Sequence, residues 1–181
     1  QIMPDVEGWL DEIFVIYKYF SSNSGLGTRG NLYTFTNGEW IGYESTIETT
    51  GLLVWSNDNL YSSSNDSYYA NEAYINKLGL DVDDEGLVSL KEYHKTFCDD
   101  EEGKDGRAIL NSKFVLLHAN KISSFSSILV KHKNLKSGEL LYLEHYASIQ
   151  ELNEEGIPTV ISGYIRDLTE QILIERENKE L

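Results

Sequence analysis

The sequence predicts an α+β domain that contains a single antiparallel sheet. Two short strand-like runs come first, helical segments follow, and three longer strand-like runs close the domain. This order is typical of α+β folds, because the strands are grouped on either side of the helices rather than alternating with them. With 181 residues, of which 40% are apolar, the chain is long enough to build a core in one substantial domain with an appendage.

An N-terminal extension precedes the predicted domain. Apolar residues recur at three- and four-residue spacing over residues 4–20, which predicts an amphipathic helix. Strand-like segments at 32–36 and 39–43 flank Asn37-Gly38, and an Asn-Gly pair supplies the positive φ angles of a tight hairpin turn. We therefore expect a helix and a β-hairpin over residues 1–50. The helix would cover an open sheet face or pack against its copy in a dimer.

The main domain is expected over residues 51–170. Gly79 can end a helix that starts at Asn71, and Ser89 with Glu92 forms a capping-box pair at the start of another. The acidic segment 99–106 is interpreted as a solvated loop. The predicted strands are 52–56, 67–70, 125–133, 140–150 and 159–166, and the predicted helices are 71–78, 89–97 and 107–120.

The last predicted strand leads directly into a charged helical segment over 171–181. Arg166, Asp167, Leu168 and Thr169 connect the two, and the side chains of Asp167 and Thr169 can accept hydrogen bonds at a helix start. The helix has little of its own to pack against, so we expect it to continue into another domain. Such an arrangement is suited to transmitting a signal.

Two segments of the main domain resemble a known family. In the first, Tyr68-Tyr69 runs into Asn71-Glu72-Ala73-Tyr74 and on to Leu78-Gly79; in the second, Gly163-Tyr164-Ile165 runs through Arg166-Asp167-Leu168-Thr169 into the last helix. The first is similar to the second strand and first helix of PAS domains, where an Asn-x-Ala-aromatic segment leads to Leu-Gly. The second is similar to the end of a PAS domain, where an Asp-Ile-Thr type triplet joins the last strand to a signalling helix. The resemblance does not extend to residues 1–50.

This resemblance implies a five-stranded antiparallel sheet with helices on one face. PAS domains bind a small ligand between the sheet and the helices, or serve only to form a homodimer, and pass their state to an output domain. The output here would be a bacterial diguanylate cyclase of the GGDEF type or a histidine kinase of two-component signalling. Arg166, Asp167 and Thr169 would couple the sheet to the exit helix. The candidate pocket residues are Trp55, Tyr74, Phe114, His118 and His145.

Haem and flavin are two cofactors that PAS domains can hold. Some use a histidine on the helix that matches the segment around His118, but a lone histidine on an apolar helix face is more often a core residue, so we do not expect haem. The flavin-binding subfamily uses a cysteine in an Asn-Cys-Arg-Phe-Leu-Gln type segment. Cys98 lies between Phe97 and Asp99, which does not match, so no flavin is expected. The identity of any other ligand stays open.

The segment from Asp81 to Glu92 fits the spacing of an EF-hand calcium loop. Asp81, Asp83 and Glu85 stand at positions one, three and five, a glycine stands at six and Glu92 at twelve, with helices predicted on both sides. Glu85 is longer than the usual residue at its position, and no partner hand is visible. A calcium-responsive binding module is therefore an alternative function, and an acidic connection turned by its glycine is the simpler interpretation.

Charge and motif content exclude several function classes. The net charge of −15 argues against binding to nucleic acid or to anionic membranes, because both require a basic surface. A single cysteine fits the reducing cytoplasm. No nucleophile elbow, phosphate-binding loop or zinc-ligand spacing is present, so we do not expect an enzyme. A purely structural dimerisation domain with a filled core remains a further alternative.

Overall fold

The computed structural model describes residues 33–36, 39–42, 53–58 and 67–180. The helix predicted over 4–20 lies outside the described residues. The predicted hairpin strands are present: β1 (Tyr33–Thr36) and β2 (Glu39–Gly42) pair antiparallel, with Thr36 opposite Glu39. Two residues separate these partners, as expected for a turn at Asn37-Gly38.

A second, larger sheet forms the body of the domain. Its strands are β3 (Leu53–Asn57), β4 (Ser67–Ala70), β5 (Val88–Ser89), β6 (Ser124–Lys133), β7 (Leu140–Leu152) and β8 (Pro158–Asp167). They are ordered β5-β4-β3-β8-β7-β6, and every neighbouring pair is antiparallel. The α+β class with a five-stranded antiparallel sheet is therefore confirmed, and β5 adds a two-residue strand at one edge.

Four helices accompany the sheet in the described part of the chain: α1 (Glu72–Leu78), α2 (Leu90–His94), α3 (Glu101–His118) and α4 (Thr169–Glu180). The caps agree with the sequence at α1 and α2. Asn71 Oδ1 accepts from the backbone of Tyr74, Gly79 ends α1 with φ +64°, and Ser89 accepts from the backbone of Glu92. Of these helices, none combines the length and the hydropathy needed to cross a bilayer.

The interpretation of residues 99–106 as a loop is wrong. Helix α3 begins at Glu101, because Asp100 caps it by accepting a hydrogen bond of 2.8 Å from Gly103 N. Gly103 and Gly106 are buried where the helix closely approaches neighbouring backbone: a Cβ on Gly103 would lie 2.2 Å from Cys98 O. The two glycines permit close packing here rather than marking a loop. Helix α2 is also shorter than predicted and ends at His94.

The helices pack on one face of the sheet through two apolar clusters. The cluster around α1 joins Tyr74 and Leu78 to Leu143 and Ile165, and the cluster around α3 joins Leu110 and Leu117 to residues of β6, β7 and β8. The strand residues involved alternate along the chain, so they share one face of the sheet. A cavity lies at this helix-covered face.

Candidate ligand cavity and helix junction

A cavity of about 210 Å³ lies between the sheet and the helices. It exceeds the roughly 150 Å³ of an engineered apolar cavity that binds benzene, so it has room for a small ring compound. Strands β3, β4, β7 and β8 and helices α1, α2 and α3 all contribute to its walls. Among the described residues, the lining contains no Asp, Glu, Lys or Arg side chain. An uncharged occupant therefore suits the cavity.

All five residues predicted for a pocket line this one cavity. They are Trp55, Tyr74, Phe114, His118 and His145. Their assignment as ligand contacts stays a prediction. The prediction omitted other lining residues, notably Asn57, Tyr68, Tyr93, His94, Phe97 and Asn111. Tyr93 and Phe97 stand four residues apart within the helix predicted over 89–97, a spacing that would have placed both on one helix face, although in the structure Phe97 follows the end of α2.

Trp55 holds its place in the cavity wall because Gly163 lies opposite it in the neighbouring strand. A Cβ on Gly163 would come within 2.6 Å of the indole ring and 2.4 Å of Tyr146 O. The indole also meets Phe114 at a ring-centroid distance of 5.9 Å and Tyr68 at 6.2 Å. The bare backbone of Gly163 thus allows an aromatic wall that spans β3, β4 and α3.

Two tyrosine hydroxyls satisfy each other beside the cavity. Tyr68 Oη lies 2.8 Å from Tyr74 Oη, and both side chains are almost fully buried. Burial raises the pKa of both hydroxyls well above the ordinary tyrosine value, so both stay protonated. Their hydrogen bond connects β4 to α1 inside the core.

Two buried histidines form a pair at the same face of the sheet. His132 Nε2 lies 2.9 Å from His145 Nε2, and His132 Nδ1 lies 2.9 Å from Thr96 Oγ1. Burial lowers the pKa of His145 to about 3. Burial, then the neighbouring His145, lowers the pKa of His132 well below the ordinary histidine value. Both rings are therefore neutral at physiological pH. Sequence spacing does not reveal this pair, because its members lie on adjacent strands.

Tyr93 brings a second polar group to the cavity. Its hydroxyl has no hydrogen-bonding partner among the described residues. Desolvation raises the pKa of this hydroxyl above the ordinary tyrosine value. The side chain is partly buried against the apolar cluster around α1, and a polar group withdrawn from water without a partner costs free energy. The Tyr93 hydroxyl is thus available to a molecule inside the cavity.

The junction between β8 and α4 is bound to the rest of the domain by side-chain hydrogen bonds. Asp167 Oδ1 accepts from Thr169 N at 3.0 Å and from the Thr169 hydroxyl, and Asp167 Oδ2 pairs with Lys77 of α1 at 2.9 Å. The Thr169 oxygen accepts from Tyr142 N of β7 at 2.9 Å. Asp167 therefore bonds the start of the helix, and Thr169 connects that start to the neighbouring strand.

A second set of contacts fixes the body of α4. Arg176 donates to Tyr142 Oη at 2.8 Å, lies over the Tyr142 ring at 4.7 Å, and pairs with Glu102 of α3. The hydrogen bond from Arg176 lowers the pKa of the Glu102 carboxyl. Arg166, the third predicted coupling residue, points elsewhere and lies 3.7 Å from Glu144 of β7.

Comparison with solved structures identifies the fold. A sensory-box histidine kinase/response regulator from Burkholderia thailandensis superposes with a TM-score of 0.54 at 13% identity, covering 76% of this chain and 92% of that chain. A light-oxygen-voltage domain, the subject of a flavin-analogue study, gives 0.50 at 12% identity over 76% and 95% of the two chains. This is a PAS fold. No protein-family model and no curated protein matches the sequence.

Within the PAS fold, Cys98 does not line the cavity. It is buried, and its backbone N–H donates to Lys131 O of β6 at 3.2 Å. Burial raises the pKa of its thiol, which disfavours the thiolate. Cys98 thus has the properties of a packing residue, and the expectation that no flavin binds stays a prediction.

The geometry does not support the calcium-loop interpretation. Asp83 Oδ1 accepts from the backbone of Glu85 and Leu87 at 2.9 Å each, Asp81 pairs with Lys136, and Glu92 pairs with Lys95. No three acidic, histidine or cysteine side chains of the described residues are grouped to hold a metal ion. The segment is instead a tight turn: Gly86 adopts φ +80°, and Val82 pairs with Val88. The turn uses the carboxylate of Asp83, and calcium binding at this segment stays a prediction that these contacts do not favour.

Proposed function

We propose that this chain is a cytoplasmic sensory domain that binds a small molecule in its cavity. Binding would change the state of α4, which would carry the signal to an output domain. The cavity carries this proposal: it lies within the PAS fold, it is lined mainly by aromatic side chains, and it offers polar groups of the buried His145 and the partly buried Tyr93. Ligand sites typically combine apolar walls with a few polar groups.

Strand β8 supports the proposed route of transmission. Ile161 of β8 lines the cavity, and the same strand ends at Asp167, immediately before α4. A ligand that prefers one arrangement of the wall would shift the population of that arrangement. The bonds of Asp167 and Thr169 would pass the shift from the end of the strand to the first turn of the helix.

The proposal includes a homodimer and an output domain. Leu173 and Ile174 of α4 are 53% and 48% exposed, and pairing of two exit helices would cover such side chains. A histidine kinase is the output that the name of the Burkholderia protein suggests, and a diguanylate cyclase is the other candidate.

Native mass spectrometry and hydrogen exchange test the proposal together. Native mass spectrometry of the gently purified chain, followed by thermal-shift screening of small ring compounds such as phenol and toluene, should reveal binding. Amide exchange of residues 169–180 should then change when the compound binds. The Thr169→Val variant should bind equally well but lose this response, because it lacks the hydroxyl that accepts from Tyr142 N.

Thr159→Val provides the matched control. Thr159 also lies near the end of the chain, and its hydroxyl donates to a backbone carbonyl, Glu151 O, at 3.3 Å. This variant should retain the exchange response. Absence of any bound molecule and of any thermal shift would contradict the sensory proposal and favour a structural dimerisation domain. Binding without a change in α4 would contradict the transmission route.

A further inference from the structure

The hydrogen bonds around the histidine pair determine where each proton lies. The Thr96 hydroxyl donates to Tyr93 O at 2.7 Å, so its single hydrogen is used. The oxygen of Thr96 can then only accept from His132 Nδ1, which lies 2.9 Å away. His132 is therefore protonated on Nδ1. Because the ring is neutral, its Nε2 carries no hydrogen and acts as an acceptor.

The proton on His145 follows from that on His132. Two facing ring nitrogens 2.9 Å apart need one hydrogen between them, and His132 Nε2 has none. His145 must donate it from Nε2. In a neutral ring this leaves Nδ1 without a hydrogen, as an acceptor. No group among the described residues donates to this nitrogen, and His145 is 3% exposed and lines the cavity.

The cavity is therefore lined by a buried acceptor, Nδ1 of His145, and by the hydroxyl of the partly buried Tyr93; neither of these two groups has a hydrogen-bonding partner in the described part of the chain. A hydroxyl group on a ligand matches both groups chemically, because it donates one hydrogen and accepts another. A charged ligand would leave its charge unpaired, since no ionic side chain of the described residues lines the walls.

We propose that the cavity recognises a small, uncharged, mainly apolar molecule through one hydroxyl group, which donates to His145 Nδ1 and accepts from Tyr93. This inference rests on the proposed function and specifies the chemical class of its ligand. Thr96 and His132 act as positioning residues, because they hold His145 in the tautomer that presents an acceptor. The aromatic walls at Trp55 and Phe114 suit a ring on the rest of the molecule.

Phenol and toluene are matched probes, since they differ by a hydroxyl in place of a methyl group. Calorimetric titration should show that Tyr93→Phe weakens phenol binding about tenfold and leaves toluene binding unchanged, because only phenol loses a hydrogen bond. Thr96→Val should also weaken phenol binding selectively. Thr96→Ser, which retains the hydroxyl, should restore it.

Nitrogen NMR of the unmodified protein tests the tautomers without any substitution. The ring nitrogens should report a hydrogen on Nδ1 of His132 and on Nε2 of His145, and phenol should perturb Nδ1 of His145. The opposite tautomers would overturn the inference. Equal losses for phenol and toluene in Tyr93→Phe would also overturn it while leaving the proposed function intact. Binding of neither probe would count against both.

Discussion

Single residues decide how the buried histidine pair responds to acid. In the unfolded chain a histidine takes up a proton near pH 6.5, whereas the pKa of His145 in the folded domain is lowered to about 3. The unfolded state therefore binds more protons between these values, and stability is fully present above pH 6.5 and declines as the pH falls towards 3. The neutral pair is a source of acid sensitivity.

We predict that His145 contributes a loss of about 2 kcal/mol in the free energy of unfolding between pH 7 and pH 5. Urea unfolding at both pH values measures this loss, and His145→Gln should reduce it because glutamine does not titrate. His94→Gln is the control, since His94 is exposed and should matter less. An unchanged difference between the two pH values in His145→Gln would contradict the prediction.

Residue-scale features were only partly predictable from sequence. Asn71 was expected at the start of α1, but its oxygen also accepts from Val54 N at 3.2 Å, a partner on another strand. His145 is among the residues that the sequence analysis predicts for the pocket. Its partner His132 could not be inferred, because the two rings meet diagonally across paired strands, with His132 opposite Leu141 and His145 opposite Ile128, and no spacing along the chain encodes this contact.

At the scale of elements, strands β3 and β8 depend on a close approach at Gly163. We predict that Gly163→Ala destabilises the domain by about 1–3 kcal/mol, because the added methyl meets the Trp55 ring and Tyr146 O. Chemical denaturation measures the loss, and the indole of Trp55 should be pushed towards the cavity. Ala147→Gly is a comparison variant, because Ala147 is paired with Gly163 and this substitution removes a methyl group instead of adding one. Gly156→Ala does not serve this purpose, because the φ angle of Gly156 is +78° and an alanine there would strain the backbone.

A retained stability in Gly163→Ala would show that β3 and β8 can separate slightly without cost.

The elements themselves were largely predictable, because strands with alternating apolar residues and helices with caps leave clear local patterns. Helix α3 was misjudged at its start because Gly103 and Gly106 resemble loop residues. Their role depends on the surfaces they approach, Cys98 O and β6, which no local pattern contains.

At the scale of the whole molecule, Arg176 connects the body of α4 to the rest of the domain. We predict that Arg176→Gln increases amide exchange of residues 169–180 severalfold, because it removes the pairing with Glu102 and the contact with the Tyr142 ring. The free energy of global unfolding should change by less than about 1 kcal/mol, since both charged partners are exposed. High salt should partly reproduce the effect in the unmodified protein.

Lys179→Gln is the matched control for the loss of a positive charge on α4, and it should leave exchange in the first two turns unchanged. Equal exchange in Arg176→Gln and the unmodified protein would show that the Thr169 bonds alone hold the helix.

The fold at this scale was predictable from two segments that resemble PAS domains. The cavity volume was not, because it depends on how side chains from seven elements fill the space.

Helix α3 contacts both the cavity and helix α4. Phe114 and His118, near its end, line the cavity, while Glu102, at its beginning, touches Arg176 of α4. A small tilt of α3 as a rigid body would move its cavity-lining end and its Glu102 end together, without any rearrangement of the strands. The exit helix is thus held by two anchors, one at its base and one along its side. A ligand that weakens one of these two sets of contacts more than the other would rotate α4 about the set that remains, rather than detach the helix.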